Sequence, residues 1–562
     1  MNDTHDPEMR DGLGLPRREA IAVAGLFATA FLLRLVFAFS YRVDSDEPQH
    51  LHVVWGWVHG LMPYRDVFDN HMPLFHWLCT PLYLLIGDHP SVFFLMRLAM
   101  IPLYAVLLGC VYRLGRALFS ARVGAWAAAL TGLFPPLFLC AAEFRSDDLW
   151  VVLTIGAIVV LVRGPVALSR GLCAGLLLGL ATAVSMKTTL VLFALACAGA
   201  GTWLTTRPRG DGGRWAVEGL VMLLPILLGP ALVAAFFVLI DSWGAFVHGV
   251  FLHNVIALRS PLRMLLFPVS LPLIGWAAGR IRQGAPDPAT GTRRVFTWYT
   301  GAVYFSALNT LWPLLSLETF LPFYPLLVLF LTPRLLGAPA APAGHEKADE
   351  CRGAPRAAWA FAAAEIIALL LLGAPWRDAA EPEIAMLRDV LRLTDPSECV
   401  MDLKGELVFR PRAFYYPLET ISLQRMYEGR LPDTIPESII AARACVAVPD
   451  DPDFPPRTRA FLLRHFLPAG HLRVAGQVLD TSATPDGILR FIVRIPAPYT
   501  VLSTSGTAPG DFDGRPSDGR RFLDAGPHGF RPAHPGNGRL VLVWSRAVER
   551  GFRPAALTEG CP

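Results

Sequence analysis

Two adjacent carboxylates follow directly on a long apolar segment near the start of the chain. Residues 21–40 are apolar apart from Arg34 and Ser40, and the chain then turns polar and acidic up to Asp46 and Glu47. Carboxylates at the mouth of a bundle of membrane helices are what an enzyme needs to deprotonate a group delivered at the membrane surface. Asp46 and Glu47 are therefore the first candidates for chemistry.

The segment after these carboxylates is rich in histidine. His50 and His52 lie beside the two acids, and together these four side chains could ligate a divalent metal such as Mg²⁺ or Mn²⁺. The alternative, which the pattern favours, is an interfacial amphipathic helix that also carries Trp55 and Trp57. The sequence specifies no cofactor and leaves metal dependence open, since carboxylates and histidines can serve a general base or a divalent ion equally well.

A second acidic segment covers residues 141–148. It contains Glu143, Arg145, Asp147 and Asp148, and because it is short it must lie close against the helices on either side. Charges in such a place are costly unless they are paired or hydrated. The segment is equally compatible with a functional site and with an ion-paired helix start, in which Asp147 and Asp148 favour the helix N-terminus.

Three cations lie next to or within apolar segments. Lys187 stands between two predicted helices, Arg34 within the first, and Arg259 in an amphipathic segment over 241–263. Buried cations need an anion, which could be one of the carboxylates or the phosphate of a lipid carrier. Arg34 could instead extend its side chain to the membrane surface.

The composition requires a membrane protein. Of 562 residues, 53% are hydrophobic and only 17% charged, and the mean hydropathy is +0.43. No basic cluster with interleaved aromatic residues indicates nucleic acid. Repeated apolar segments predict a helical bundle. The eleven predicted spans are 19–40, 92–112, 123–140, 149–163, 171–186, 188–204, 216–240, 264–279, 296–314, 319–335 and 357–375.

The distribution of arginine predicts the orientation of these spans. Alternate loops carry most of the Arg and Lys residues, which places them and the N-terminus (1–18) in the cytoplasm. An odd number of spans then puts the tail on the other side. The predicted organisation is a transmembrane domain over 19–375, which includes a long first outer loop at 41–91, and a periplasmic domain over 376–562. The predicted location is the inner membrane, with membrane lipids as surroundings.

The tail loses the apolar segments and predicts a small α/β domain followed by a Gly/Pro-rich β segment. Helical patterns cover 381–393 and 457–466. A disulfide between Cys399 and Cys445 is compatible with a tail outside the cytoplasm. Residues 336–356 predict a flexible cytoplasmic loop. The predicted strands are 399–403, 439–448, 472–479, 489–495 and 540–544.

In this order and topology the motifs resemble the GT-C glycosyltransferases that use polyprenyl-phosphate sugars. They resemble in particular the bacterial relatives of protein O-mannosyltransferases and of the lipid A aminoarabinose transferase, over about residues 20–335. The matching residues are Arg34, Asp46, Glu47, Gly60, Pro63, Tyr64, Asp66, His71, Pro73, Leu74, Glu143, Arg145, Asp147, Lys187, Pro322 and Pro325. These motifs are specific for the superfamily and not for the substrate.

The resemblance implies a reaction and assigns roles. The donor would be a polyprenyl-phosphate sugar, and the acceptor hydroxyl would attack the anomeric carbon with inversion. Asp46 would be the general base and Glu47 would orient the acceptor or assist. Arg145 and Lys187, with Arg34 or Arg259, would stabilise the leaving lipid phosphate. The other residues that would bind the donor phosphate or the substrate are Tyr64, Asp66, His71, Glu143 and Asp147.

The chain also departs from the family pattern. It has Asn70-His71-Met72-Pro73 where relatives often carry Lys-Pro-Pro or His-Pro-Pro, so a second proline is missing. The tail shows no β-trefoil repeat, which favours a lipid or glycan acceptor over a protein. The alternatives are a protein O-glycosyltransferase of the same fold, a lipid or glycan transporter, and a scaffold with a decayed site.

Overall fold

The computed structural model describes residues 15–164, 167–207, 212–256, 260–337, 355–480, 486–517, 519–534 and 539–557. The chain divides into two compact units. The first unit comprises Met1–Tyr41, Asn70–Cys79 and Phe94–Asp378, and the second comprises Arg42–Asp69, Thr80–Phe93 and Ala379–Pro562. Part of the predicted first outer loop thus belongs to the same unit as the tail.

The described residues contain twenty α-helices. In chain order they are α1 (Arg17–Ser40), α2 (Asp46–Val58), α3 (Leu74–Leu84), α4 (Ser91–Leu118), α5 (Ala121–Leu133), α6 (Pro135–Ala141), α7 (Ser146–Val162), α8 (Leu168–Val184), α9 (Thr188–Thr206), α10 (Gly212–Leu239), α11 (Trp243–Phe246), α12 (Leu266–Gln283), α13 (Pro288–Leu311), α14 (Phe323–Leu335), α15 (Arg356–Gly373), α16 (Glu381–Leu393), α17 (Thr420–Tyr427), α18 (Ile435–Ala441), α19 (Pro456–His465) and α20 (Ser545–Glu549).

The first unit is built from long apolar helices, as the composition predicts. Each of the eleven predicted spans overlaps at least one of these helices. By length and composition, six helices among the described residues can cross a membrane, and a seventh span is formed if α5 and α6 count as one. The prediction of a multi-pass helical membrane protein is confirmed, whereas the number eleven stays a prediction.

Two breaks in the helices have local causes. Pro135 and Pro136 follow α5, and Phe134 before them takes an extended conformation, so α6 starts at an angle of 62° to α5. The predicted break within 171–204 is present because Ser185 is also extended and ends α8. The hydroxyl of Thr188 donates to the Ser185 carbonyl over 2.7 Å, and α9 begins there.

The second unit contains two antiparallel sheets, as expected for an α/β tail. The strands are β1 (Val446–Ala447), β2 (Phe466–Ala469), β3 (Leu472–Leu479), β4 (Leu489–Val493), β5 (Ala497–Ser503), β6 (Gly506–Thr507), β7 (Gly510–Phe512), β8 (Arg515–Ser517), β9 (Arg521–Leu523), β10 (Gly526–Pro532) and β11 (Leu540–Trp544). Seven of them form one sheet with the order β1-β3-β11-β5-β6, in which β2 also pairs with β3 and β9 also pairs with β5. The other four form the second sheet, with the order β4-β10-β7-β8.

Some predictions for the tail are wrong in detail. Residues 399–403 make isolated bridges and no strand. The first part of the predicted strand 439–448 belongs to α18, because Pro436 and Glu437 occupy its first turn and favour a helix start there. Cys399 and Cys445 are free thiols and are not joined in a disulfide. Most of the predicted loop 336–356 lies outside the described residues.

Candidate functional site

Five charged side chains from three elements converge in the first unit. Glu143 and Arg145 precede α7, Asp147 lies in its first turn, Lys187 lies at the break between α8 and α9, and Glu318 lies in a 3₁₀ helix over Leu317–Phe320. We call this set the first-unit cluster. Glu318 was not among the predicted site residues, since only the folded chain brings it to the 141–148 segment.

Arg145 is the centre of the first-unit cluster. Its Nη1 lies 3.4 Å from Glu143 Oε2 and 3.5 Å from Glu318 Oε1, and its Nε lies 3.5 Å from Asp147 Oδ2. Lys187 Nζ lies 2.7 Å from Asp147 Oδ1. Glu143, Arg145 and Asp147 are all buried, so each charge depends on these pairings. The two cations are thereby fixed in a polar pocket of carboxylates.

Local packing fixes the position of Lys187. The indole Nε1 of Trp150 donates to the hydroxyl of Thr188 over 3.0 Å, which ties α7 to the start of α9. The ammonium of Lys187 lies 5.7 Å from the centre of the Trp150 ring. A cation over an indole face gains further electrostatic stabilisation. Lys187 is therefore held from two sides, by a carboxylate and by an aromatic ring.

Arg34 lies inside the first unit and does not reach the membrane surface. Only 2% of its surface is exposed, so the alternative of a side chain extended to the surface is wrong. Its Nη1 donates to the carbonyl of Phe138 over 3.3 Å, and its guanidinium lies 5.0 Å from the centre of the Tyr104 ring. These contacts give Arg34 a packing role between α1, α4 and α6.

The other predicted residues of the first unit are less defined. His71 lies in Asn70–Cys79, and the carbonyl of its neighbour Asn70 accepts a hydrogen bond of 2.8 Å from Asn254. Arg259 lies outside the described residues. Arg97, which the sequence analysis missed, is buried in α4, and its Nη1 donates to the carbonyl of Tyr41 over 2.9 Å at the end of α1.

Asp46 and Glu47 lie at the start of α2 in the second unit. The N-terminal dipole of a helix favours carboxylates in its first turn. The amide of Asp46 donates to Asp44 Oδ1 over 3.1 Å, and the amide of Asp44 donates to Glu47 Oε1 over 3.0 Å. The ammonium of Lys404 forms an ion pair with Asp46. A cation beside a carboxylate favours its ionised form, which is the form that a general base requires.

The segment that carries Lys404 is fixed against α2 by several contacts. Gly405 has φ +107°, and a Cβ built on it would lie 3.1 Å from the Cβ of His52. The ring Nδ1 of His52 lies 2.8 Å from the carbonyl of Val408. Burial lowers the pKa of His52, which favours the neutral ring. Glycine is thus favoured at position 405 for two reasons: the backbone has a positive φ, and a Cβ atom would crowd the side chain of His52.

Two acids, the buried Asp402 and the partly buried Glu406, support the same segment. Asp402 accepts hydrogen bonds from the amide of Leu407 over 3.0 Å and from Nε of Arg412 over 2.6 Å. Glu406 accepts a hydrogen bond from the amide of Lys404 over 2.7 Å. Burial, together with the charge of Asp402, raises the pKa of Glu406 to about 7. The backbone of Lys404 is therefore held by a carboxyl group that titrates near neutral pH.

Tyr64 and Asp66 form a turn in the second unit. Tyr64 has φ +65° and is buried, its amide donates to the carbonyl of Val67 over 2.7 Å, and its own carbonyl accepts from the hydroxyl of Tyr415. Asp66 accepts from the amide of Met62 over 2.9 Å and pairs with Arg65, which lowers the pKa of Asp66. Both predicted residues thus stabilise the backbone of this turn.

The predicted helix over His50 and His52 is present as α2, but it is not an amphipathic surface helix. Residues 47–56 are buried, since the segment around Gly405 packs on α2. Sequence alone could not predict that the segment around Gly405 packs on α2, because the two segments are far apart in the chain. Within the described residues, no three His, Cys, Asp or Glu side chains converge as ligands of a metal ion.

Known proteins share the fold of this chain but little of its sequence. Neither protein-family models nor curated proteins gave a match. Two crystal structures of ArnT from Cupriavidus metallidurans match the chain. The apo structure matches with a TM-score of 0.54 at 14% identity, and the match covers 81% of this chain and 98% of the ArnT chain. The structure bound to undecaprenyl phosphate matches with a TM-score of 0.55 at 16% identity, and the match covers 81% of this chain and 97% of the ArnT chain.

A third match is the apo structure of the Archaeoglobus fulgidus oligosaccharyltransferase. Its TM-score is 0.42 at 11% identity, with 77% of this chain and 70% of that chain covered, which does not establish a common fold. The two ArnT structures do, since nearly their whole length is matched. The resemblance predicted from the sequence is therefore confirmed at the level of the fold: this chain shares the fold of ArnT.

Proposed function

We propose that this chain is a membrane glycosyltransferase that moves a sugar from a polyprenyl-phosphate donor to a lipid or glycan acceptor. The observation that carries the proposal is the fold shared with ArnT over 81% of the chain, because one ArnT structure holds undecaprenyl phosphate. The paired cations and carboxylates supply the chemical groups that the reaction needs. The proposal places the reaction on the periplasmic face.

The reaction is a displacement at the anomeric carbon. The acceptor oxygen forms a bond to this carbon from the side opposite the phosphate, so the configuration inverts. The bond between the anomeric carbon and the phosphate oxygen breaks, and polyprenyl phosphate leaves with the electron pair. Asp46 takes the proton of the acceptor hydroxyl, and the neighbouring ammonium of Lys404 favours the ionised carboxylate that this step requires.

The leaving phosphate gains negative charge as the bond breaks. Arg145 and Lys187 are the cations proposed to stabilise it, because both are held rigidly before the substrate binds. Glu47 is proposed to orient the acceptor. The packed positions of Arg34, Tyr64 and Asp66 support a role in holding the fold of their own units rather than direct contact with the reacting atoms.

The test measures release of undecaprenyl phosphate from radiolabelled undecaprenyl-phosphate sugars by the purified full-length protein in lipid. We expect acceptor-dependent release by the wild type and a loss of at least about 100-fold in Asp46→Asn. Asp287→Asn is the matched control, since Asp287 caps α13 and Asn also serves as an N-cap.

Three outcomes would contradict parts of the proposal. Release that persists in Asp46→Asn would move the base to another carboxylate, with Glu47→Gln as the next variant. Transfer to protein but not to lipids or glycans would replace the acceptor class. No release with any donor from a folded protein would reject the transferase and favour a transporter or a scaffold.

A further inference from the structure

A large cavity lies between helices of the first unit, at the ends of α9 and α7 that are opposite to Lys187 and Asp147. Its volume is about 1360 Å³, and it is lined by α7, α8, α9, α10, α12 and α13. Most of the wall is apolar, with Leu195, Met222, Ile226 and Phe296 among the lining side chains. No step of the proposed reaction uses this cavity.

Arginines from different helix ends surround the mouth of the cavity. They are Arg170, Arg207, Arg214, Arg282 and Arg293, whereas Glu218 is the one carboxylate among the described residues that line the cavity. Five arginines and one carboxylate give these described lining residues a formal net charge of +4. The cavity therefore combines a cationic rim with an apolar interior.

Two of these arginines hold the rim together. Nε and Nη2 of Arg170 lie 2.5 and 2.7 Å from the two carboxylate oxygens of Glu218, so that this pair is neutral. Nη1 of Arg282 donates to the carbonyl of Thr205 over 2.5 Å and joins α12 to the end of α9. The rim is thus built by contacts between helices, while Arg207 is exposed to solvent and Arg293 is half-buried.

The apolar wall continues onto the outer surface of α10. Leu223 lines the cavity and is 50% exposed, and Leu220, Leu224 and Leu227 beside it are 63–73% exposed. In a bilayer these side chains face acyl chains. The cavity is therefore accessible from the lipid phase.

We propose that this cavity binds an anionic phospholipid, with its phosphate at the arginine rim and its acyl chains along the apolar wall. Basic pockets between membrane helices select anionic headgroups, and guanidinium groups bind phosphate in two-point geometry. A zwitterionic lipid would bind less well, because its headgroup also carries a positive charge, which the arginine rim repels. A soluble phosphate would leave the apolar wall without a partner. This site does not depend on the proposed transferase activity.

The test uses the full-length protein, stripped of lipid in detergent. Lipid retention is measured by native mass spectrometry and thermal stability by a shift in Tm, with phosphatidylglycerol, phosphatidylcholine, undecaprenyl phosphate and inorganic phosphate as separate probes. We expect phosphatidylglycerol alone to be retained and to raise Tm, since a ligand that binds only the folded state stabilises it.

Two variants locate the site. Arg207→Gln/Arg293→Gln should weaken binding of phosphatidylglycerol roughly 30-fold, since each arginine near a lipid surface contributes about a factor of five. Arg113→Gln/Arg116→Gln is the matched control, because these exposed arginines of α4 do not line the cavity. Gly199→Phe should also reduce retention without a change of charge, since Gly199 lines the cavity and has free space at its Cβ position.

Several results would overturn this proposal. Equal retention of phosphatidylcholine would remove the role of the headgroup. An equal effect of the two arginine pairs would indicate general attraction to an anionic surface. Preference for undecaprenyl phosphate would make the cavity a carrier site, and a Tm shift with inorganic phosphate alone would make it a site for soluble anions.

Discussion

Lysine is rare in this chain, and its placement is informative. Of 50 basic residues only three are lysines, namely Lys187, Lys347 and Lys404. Lys187 pairs with Asp147 and Lys404 pairs with Asp46, whereas Lys347 lies outside the described residues. The lysine side chain ends in a compact ammonium group on a flexible alkyl chain, whereas the arginine side chain ends in a rigid, planar guanidinium group. Lys404 was not predicted from the sequence, but the rarity of lysine is a signal that could have singled it out.

The ion pair between Lys404 and Asp46 predicts a change in the pH dependence of activity. Because a neighbouring cation favours the ionised carboxylate, Lys404→Met should move the acidic limb of the pH–rate profile to higher pH by about one unit. Lys404→Arg should restore most of the wild-type profile, and Lys347→Met should leave it unchanged. Sugar transfer measured between pH 4 and 9 checks this. An unchanged profile in Lys404→Met would mean that the pair only stabilises the fold.

The raised pKa of the partly buried Glu406 predicts a pH dependence of stability. Its pKa is about 7 in the folded protein against 4.5 for an ordinary glutamate, so the folded state binds the proton more tightly. This contribution is complete below pH 4.5 and is lost as the pH rises to 7, with a limit of about 3 kcal/mol for the free energy of unfolding. Glu406→Gln should therefore raise Tm at pH 8 relative to the wild type, but not at pH 4.5.

The comparison at two pH values separates titration from packing. A variant that merely packs differently would shift Tm by the same amount at both values. Glu419→Gln is a useful control, since Glu419 caps α17 in the same unit.

At the scale of elements, periodicity and breaks were predictable but contacts between distant segments were not. Apolar length predicted the helices of the first unit, and Ser185 to Lys187 predicted the break between α8 and α9. The pairing of Arg145 with Glu318 and the cover of α2 by the Gly405 segment depend on residues far apart in sequence. Local propensity carries no information on such contacts, so α2 was predicted as an amphipathic helix at the membrane interface. The short helix α18 was missed because its β-branched residues are typical of a strand.

The crossing of α8 and α10 depends on a row of small residues. Cβ atoms built on Gly171, Gly175 and Gly179 would lie 2.8, 2.4 and 2.2 Å from backbone carbonyl oxygens of α10. Small residues at this spacing let membrane helices approach closely. Gly175→Leu should therefore separate the two helices and lower Tm by several degrees or prevent accumulation of the protein.

The matched control for this crossing is Gly109→Leu in α4, where a Cβ meets no atom within 4 Å. It should keep Tm near the wild-type value, because leucine is a better helix former than glycine. Equal destabilisation by both substitutions would show that the α8–α10 approach is not specific. Fluorescence-detected size-exclusion chromatography after heating measures both variants in parallel.

At the scale of the whole molecule, the chain separates a lipid-facing unit from a unit with two β-sheets. Helices such as α10 and α12 bury little of their apolar surface in the protein, which is expected where lipid covers the rest. The second unit combines the tail with residues 42–69 and 80–93. The tail therefore does not form the second unit alone, and a truncated chain that begins at residue 379 should lack part of its core.

The orientation of the chain follows from arginine distribution and stays a prediction that labelling can check. Thr507→Cys in the tail and Pro286→Cys between α12 and α13 are both exposed positions. Because alternate loops with excess arginine remain in the cytoplasm, an impermeant maleimide should label Thr507→Cys in intact cells and Pro286→Cys only after the membrane is opened. The background is a variant in which six native cysteines are replaced by serine. Among the described cysteines Cys173 is exposed and three others are partly exposed, and two more lie outside the described residues; the six are Cys110, Cys173, Cys197, Cys351, Cys399 and Cys561. The reverse pattern would place the sheets, together with Asp46 and Lys404 of the same unit, in the cytoplasm, and the donor would then have to be presented from that side.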